Sequence, residues 1–226
     1  MITRQPKKRQ GIKNRLRHCL RDMQNYLFPV NKTEQEIEKM ATAGFRYRAE
    51  LSNTKPHPLI HPLFNYRDPY VKTAIHLVKF NGRPAVIQKL GNILAEELPY
   101  IIKHYQMTNP LITPVPLAPK RLKKRGFNQS ELLCREAEKN LADLKIEFDY
   151  QLIGKNKDTK PQTGLKRGQR LRNPRNVFYV LKPEVTAGRD IIVIDDVSTT
   201  GATGLEIIRT VKRTEAHQVI VVTLAH

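Results

Sequence analysis

Cysteine is scarce in this chain of 226 residues, which has only Cys19 and Cys134, far apart in the sequence. Two cysteines cannot build a disulfide framework or a four-cysteine zinc site within one chain. No apolar run approaches the roughly twenty residues of a membrane span, and the N-terminus lacks a signal-peptide core. These absences predict a soluble protein in a reducing cytoplasm.

Acidic residues are also few, since 21 Asp and Glu stand against 40 Lys and Arg, for a formal charge of +19. Such an excess favours polyanionic partners: nucleic acid, an anionic lipid surface or a polyphosphate substrate. Charge alone does not choose among them. The length favours one well-buried α/β domain with an appendage.

Residues 191–194 are four consecutive β-branched residues, and Asp195 and Asp196 follow them directly. Such a run predicts a strand buried on both faces, as in the centre of a parallel sheet. Ligands bind beyond the carboxyl ends of strands in open α/β sheets. The two carboxylates are therefore expected in a binding site.

The segment after the acids is small and rich in hydroxyl groups, and it opens a predicted helix with Leu205, Ile208 and Val211 on one face. Its members are Val197, Ser198, Thr199, Thr200, Gly201, Ala202 and Thr203. Free N–H groups at a helix N-terminus together with hydroxyls predict a phosphate site. With acids for sugar hydroxyls or a hydrated metal, the pattern indicates a site for a phosphorylated sugar.

This stretch has two other interpretations. A strand ending in two acids is also typical of nucleotide triphosphatases, but that class needs a G-x-x-x-x-G-K-[ST] loop, which the sequence lacks. A strand-to-helix turn with a threonine cap is the simpler alternative.

The remaining pattern alternates strands with helices and predicts a parallel or mostly parallel sheet with helices on both faces. Predicted strands are 64–66, 111–115, 146–152, 177–180, 191–194 and 218–225; predicted helices are 33–43, 69–82, 84–105, 130–141 and the one after the phosphate loop. Residues 55–62 are expected to be a proline-rich linker and 185–189 a turn.

Two basic stretches carry further expectations. A cationic run that includes Lys120 and Arg121 follows the strand at 111–115, and it lies beside the expected site. Residues 157–173 form a long segment without apolar periodicity, which is usually functional or disordered. Residues 1–21 carry eight basic residues and no acid, so they are expected to be either a solvated tail or a basic amphipathic helix.

Residues 191–203 resemble the 5-phosphoribosyl-1-pyrophosphate (PRPP) signature of type I phosphoribosyltransferases. Residues 64–82, 114–117 with 125–133, and 161–165 with 172–178 are similar to the ComF/GntX family, so the resemblance covers about residues 60–226. It implies a type I phosphoribosyltransferase fold over residues 56–226, behind a basic, partly helical extension at 1–55. Family members commonly begin with a four-cysteine zinc module, which these two cysteines cannot form.

The resemblance also implies roles for individual residues. Asp195 and Asp196 would contact the ribose hydroxyls, with Mg²⁺ nearby through water, and residues 197–203 would hold the 5-phosphate. Pyrophosphate would lie against Pro116, Leu117, Lys120 and Arg121. A long loop that closes over the site would contain Gln162, Thr163, Lys166, Arg167 and Arg170.

Three functions remain open on this resemblance, which associates the family with natural competence. One is Mg²⁺-dependent phosphoribosyl transfer to an unknown acceptor, since no stretch indicates a nucleobase pocket. The others are a non-catalytic nucleic-acid-binding competence factor and a PRPP-responsive regulator. Single-stranded DNA and the DNA-uptake machinery are the expected partners besides PRPP.

Overall fold

The computed structural model of the chain describes residues 32–142, 144, 146–156 and 177–226. Its helices are α1 (Lys32–Lys39), α2 (Thr42–Arg48), α3 (Pro69–His76), α4 (Pro84–His104), α5 (Pro119–Arg125), α6 (Gln129–Lys139), α7 (Pro183–Thr186) and α8 (Ala202–Lys212), with a π-helical turn (Leu77–Asn81) after α3. Its strands are β1 (Ile60–Phe64), β2 (Pro110–Pro114), β3 (Glu147–Phe148), β4 (Ile153–Lys155), β5 (Phe178–Val180), β6 (Asp190–Val197) and β7 (Gln218–Ala225).

Five of the strands form one parallel sheet in the order β1-β7-β6-β2-β3, with β6 at its centre. One face of β6, through Ile192 and Ile194, is buried with α3, α4 and α6, and the other, through Ile191 and Val193, is buried with α8. The predicted fold class is confirmed: a parallel sheet carries helices on both faces. Since both faces of β6 are covered, its residues have to be apolar throughout.

Most predicted elements agree with the structure to within about two residues, the usual uncertainty of element ends. These are α4, α6, β2, β5 and β7. Strand β6 continues three residues beyond the predicted 191–194, through both acids, and α8 follows the loop as predicted. The first strand was predicted wrongly: β1 begins inside the expected linker at 55–62 and ends at Phe64. Pro62 is tolerated there because β1 is an edge strand that pairs with β7 on one side only, apart from an isolated bridge between Leu51 and Phe64.

The strand predicted at 146–152 is also wrong as a single element. Only Glu147–Phe148 joins the sheet, and Ile153–Lys155 instead pairs antiparallel with Phe178–Val180. Asp149 separates the two because its carboxylate accepts a hydrogen bond from the Gln151 N–H at 2.8 Å, which closes a turn. The sequence pattern could not show this division, since the apolar residues continue through it.

Three smaller differences concern helices. The predicted helix at 33–43 is divided into α1 and α2, and the turn expected at 185–189 begins inside the short helix α7. The cationic run after β2 forms α5, with Pro119 at its start and Gly126 at its end in the left-handed region (φ 82°).

Helices α1 and α2 lie against the main core, because Ile37 and Phe45 are buried in the same cluster as α4. Lys89 of α4 is itself buried and donates to the Ile37 carbonyl. The domain boundary expected at residue 56 stays a prediction. The predictions for residues 1–21 and for the loop at 157–173 lie outside the described residues. Within the described part of the chain, no helix is long and apolar enough to cross a membrane.

Candidate functional site

The two acids lie at the carboxyl end of β6, as predicted, and Asp195 is half-buried there. Its Oδ1 accepts the Asp196 N–H at 2.9 Å and the Ser130 hydroxyl at 3.4 Å. Burial and the neighbouring Asp196 carboxylate raise the pKa of Asp195 to about 7, although Lys79 and Lys155 oppose the rise. The free protein therefore holds a carboxyl group that changes its charge near neutral pH.

Asp196 lies on the same face of β6 as Ile192 and Ile194, the face towards α3, α4 and α6, and it is only 5% exposed. Its Oδ1 lies 3.1 Å from Lys79 Nζ. Its Oδ2 is buried and has no hydrogen-bond partner among the described residues. A buried carboxylate oxygen without a partner is costly, so this atom indicates a contact that a ligand completes.

The predicted phosphate loop lines a small recess together with Asp195 and Thr223. Its lining residues from the loop are Val197, Ser198, Thr199, Thr200, Gly201, Ala202 and Thr203. The loop is held at its start by two bonds of 2.9 Å, from the Ser198 N–H to the Ala225 carbonyl and between His226 Nδ1 and the Ser198 carbonyl. The first N–H groups of α8 have no intrahelical partner, which suits an anion in this recess.

Gly201 precedes α8 in the left-handed region, with φ 75°. A Cβ there would lie 3.1 Å from Ile60 Cδ1 and 3.3 Å from Pro56 Cβ. The turn therefore requires glycine for its backbone conformation and also for the close approach of β1.

The predicted pyrophosphate segment follows β2, beside the acids. Pro116 and Leu117 are half-buried, Lys120 is exposed and Arg121 is half-buried on α5. Asn128 fixes this segment: its Nδ2 donates to the Val115 carbonyl at 3.0 Å and its Oδ1 accepts the Ser130 N–H at 3.2 Å. One side chain thus positions both the segment and the start of α6.

Four residues close to the acids were not among the predicted site residues. They are Lys79 on the π-helical turn, Arg125 on α5, Ser130 on α6 and Lys155 on β4. Arg125 is within electrostatic range of both Asp196 and Arg121, and burial lowers its pKa. The sequence contains a signal for Lys79, Arg125 and Ser130, because each belongs to a stretch that carries the family resemblance. It contains no such signal for Lys155.

The loop residues predicted to close over the site, Gln162, Thr163, Lys166, Arg167 and Arg170, lie outside the described residues. Among the residues that are described, no group of three or more His, Cys, Asp or Glu could hold a metal ion.

Comparison with known sequences confirms the predicted resemblance to competence-associated proteins. The chain is 34% identical over 153 residues to DNA utilization protein YhgH of Escherichia coli O157:H7, which covers 66% of this chain and 63% of that protein. It is 31% identical over 125 residues to competence protein ComFC of Streptococcus pneumoniae, covering 55% of this chain and 49% of that protein. The chain thus spans less than two thirds of the length of these curated relatives. No protein-family model matches it.

Among solved structures, the chain is similar to glutamine PRPP amidotransferase from B. subtilis complexed with ADP and GMP, with TM-score 0.42, 17% identity and coverage of 66% of this chain and 30% of that chain. It is also similar to a hypoxanthine phosphoribosyltransferase from Staphylococcus aureus, with TM-score 0.37, 17% identity and coverage of 61% of each chain. Both likenesses are distant.

Proposed function

We propose that this protein binds PRPP and transfers its phosphoribosyl group to an acceptor. The observation that carries the proposal is the contiguity of two kinds of binding group. Asp195 lines the same recess as the hydroxyls and helix N-terminus of the loop at 197–203. A ribose that carries a phosphate on C5 presents hydroxyls and a phosphate on one small molecule, so one ligand in this recess would engage both groups.

In this proposal Asp195 and Asp196 accept hydrogen bonds from the ribose hydroxyls, and residues 197–203 hold the 5-phosphate. The segment with Pro116, Leu117, Lys120 and Arg121 faces the pyrophosphate. Transfer breaks the bond between C1 and the pyrophosphate oxygen, and the electron pair leaves with pyrophosphate. A lone pair of the acceptor forms the new bond to C1, and the acceptor gives up its proton to solvent. The cations of α5 stabilise that developing charge, which is where preorganised positive groups have the largest effect.

The acid pair also suits Mg²⁺. Two adjacent carboxylates, one with an unpartnered buried oxygen, provide few direct protein ligands. Mg²⁺ commonly retains several waters and takes its other oxygens from a phosphorylated substrate. Asp195 and Asp196 would hold it, and when bound it supplies positive charge to the pyrophosphate. A cytoplasmic location, expected from the cysteine content, is part of the same proposal.

Calorimetric titration with PRPP, with and without Mg²⁺, tests the proposal directly. We expect binding that depends on Mg²⁺ and that Asp196→Asn weakens at least about tenfold, equivalent to about 1.4 kcal/mol. Asp190→Asn is the matched control, because Asp190 lies at the opposite end of the same strand. The proposed function would be refuted if a folded Asp195→Asn/Asp196→Asn protein bound PRPP as well as the wild type does. It would also be refuted if the wild type did not bind PRPP.

A second candidate function is binding of single-stranded nucleic acid. It is a hypothesis suggested by the names of the relatives, a DNA utilization protein and a competence protein. The observation that favours it is an exposed aromatic ring beside a cationic helix. Phe80 is 61% exposed, its ring centroid lies 4.6 Å from that of His76, and the Arg125 guanidinium is 5.2 Å from the ring. Exposed aromatics next to Lys and Arg are the usual platform for stacked bases.

Salt dependence tests this second function. The logarithm of the binding constant falls with the logarithm of the salt concentration, by about 0.7 for each phosphate contact of a single strand. The double variant Lys123→Gln/Lys124→Gln should therefore make this slope shallower by about 1.4. Lys103→Gln/Lys139→Gln makes the same charge change at the ends of α4 and α6. Equal slopes for the two double variants would contradict an interface on α5.

A further inference from the structure

Lys79 reaches the acid pair from an unusual backbone element. It lies on the π-helical turn after α3, where Leu77 and Val78 are buried and Lys79 is half-buried. The turn ends at Gly82, whose φ is 55° and whose added Cβ would lie 3.1 Å from Phe127 Cε1. Single π-turns inside helices often mark functional positions, because the extra residue redirects the side chains that follow. Phe127 lies close to the end of this turn, where only glycine leaves room for it.

The ammonium group of Lys79 lies against the buried carboxylate of Asp196 and offsets its charge. Lys79 Nζ lies 3.1 Å from Asp196 Oδ1, and the two side chains are 22% and 7% exposed. A buried carboxylate is costly without an opposite charge, so this contact stabilises the protein without its ligand. The same contact occupies Oδ1 and leaves Oδ2, the other oxygen of the carboxylate, without a partner among the described residues.

The two ends of the acid pair differ in chemistry, and this difference assigns an orientation. On the Asp195 side lie the hydroxyls of the loop at 197–203 and the start of α8. Lys79 contacts Asp196 directly, and Arg125, with Arg121 in its range, acts on the same carboxylate. Among the described residues, Asp195 has only the longer-range charges of Lys79 and Lys155. One side therefore suits a single phosphate held by N–H and hydroxyl groups, and the other suits the higher charge of a diphosphate.

We infer that Lys79 is an exchangeable counter-ion, which holds Asp196 in the free protein and moves to the diphosphate of PRPP when it binds. This inference rests on the proposed function. A lysine suits such an exchange, because its ammonium is a compact charge on a flexible stem with three rotatable donors. The move frees Oδ1 of Asp196, so that both oxygens of the carboxylate can accept from the ligand when the diphosphate binds.

The test compares ligands with and without the diphosphate. Calorimetry with Mg²⁺ measures binding of PRPP, inorganic pyrophosphate and ribose 5-phosphate to wild type, Lys79→Gln, Lys79→Arg and Lys72→Gln. We expect Lys79→Gln to lose at least about tenfold in affinity for PRPP and pyrophosphate and less than about threefold for ribose 5-phosphate. Lys72→Gln, an exposed lysine on α3, removes the same charge and should change none of these affinities.

Lys79→Arg keeps the charge and guards against a folding defect in the glutamine variant. It should recover most of the affinity for pyrophosphate. Equal losses for PRPP and ribose 5-phosphate in Lys79→Gln would mean that Lys79 only holds Asp196 in place, and this overturns the inference. Unchanged PRPP binding in Lys79→Gln overturns it as well, while the proposed function stands. Absence of PRPP binding in the wild type overturns both.

Discussion

Asp195→Asn should stabilise the ligand-free protein at alkaline pH while weakening its binding of PRPP. The folded protein raises the pKa of Asp195 from 3.8 to about 7, chiefly through burial and then through the charge of Asp196. One pKa unit corresponds to about 1.4 kcal/mol, so a rise of about 3 units lowers the free energy of unfolding by about 4 kcal/mol once Asp195 is ionised in the folded state. Asparagine keeps an Oδ1 for the Asp196 N–H and the Ser130 hydroxyl but carries no charge.

The sign of the pH dependence follows from the raised pKa. The contribution of Asp195 to stability is fully present below about pH 4 and is lost as the pH rises through about 7. We therefore expect the variant and the wild type to be equally stable near pH 4. Above about pH 8 the variant should be more stable by about 2–4 kcal/mol, a rise in Tm on the order of 5–10 °C.

Urea unfolding at several pH values, without ligand, measures this difference, and Asp190→Asn supplies a control of opposite sign. Burial by itself would raise the pKa of Asp190, but hydrogen bonds from His217 and from the Thr108 and Asn109 N–H groups bring it below its ordinary value. That variant should be less stable than the wild type at neutral pH, and its deficit should shrink as the pH falls below about 4. A constant difference between Asp195→Asn and the wild type at all pH values would refute the argument.

Two further predictions concern the same site. Binding of PRPP with Mg²⁺ at about pH 6 should release a proton from Asp195, so that affinity rises towards about pH 8. Calorimetry in two buffers of different ionisation enthalpy measures the total release, and Asp195→Asn should reduce it by up to about one proton, leaving the release from the phosphates of PRPP. Gly201→Ala should cost about 1–3 kcal/mol and weaken phosphate binding, whereas Gly126→Ala, with a similar φ of 82° but nothing within 4 Å of the added Cβ, should cost less. Equal urea midpoints for the two alanine variants would show that the contacts with Ile60 and Pro56 do not matter.

The sequence predicted the elements whose signals are local. The β-branched run of β6, the apolar faces of α4 and α8, and the small, hydroxyl-rich loop between β6 and α8 are each read from neighbouring residues. It failed where pairing decides the structure. Ile60–Phe64 is a strand despite Pro62 because its neighbour is β7, and Ile153–Lys155 leaves the sheet to pair with Phe178–Val180.

The chain order by itself determined that Asp195, Asp196 and the hydroxyl-rich loop at 197–203 lie together, because they follow one another at the end of a single strand. Only the tertiary structure decided which charges meet them. Lys79, Arg125 and Lys155 come from three different elements, the π-helical turn, α5 and β4, and packing brings their charges within range of the acids. Since such contacts depend on how elements pack and not on local sequence, these three partners of the acids could not be predicted from the chain alone.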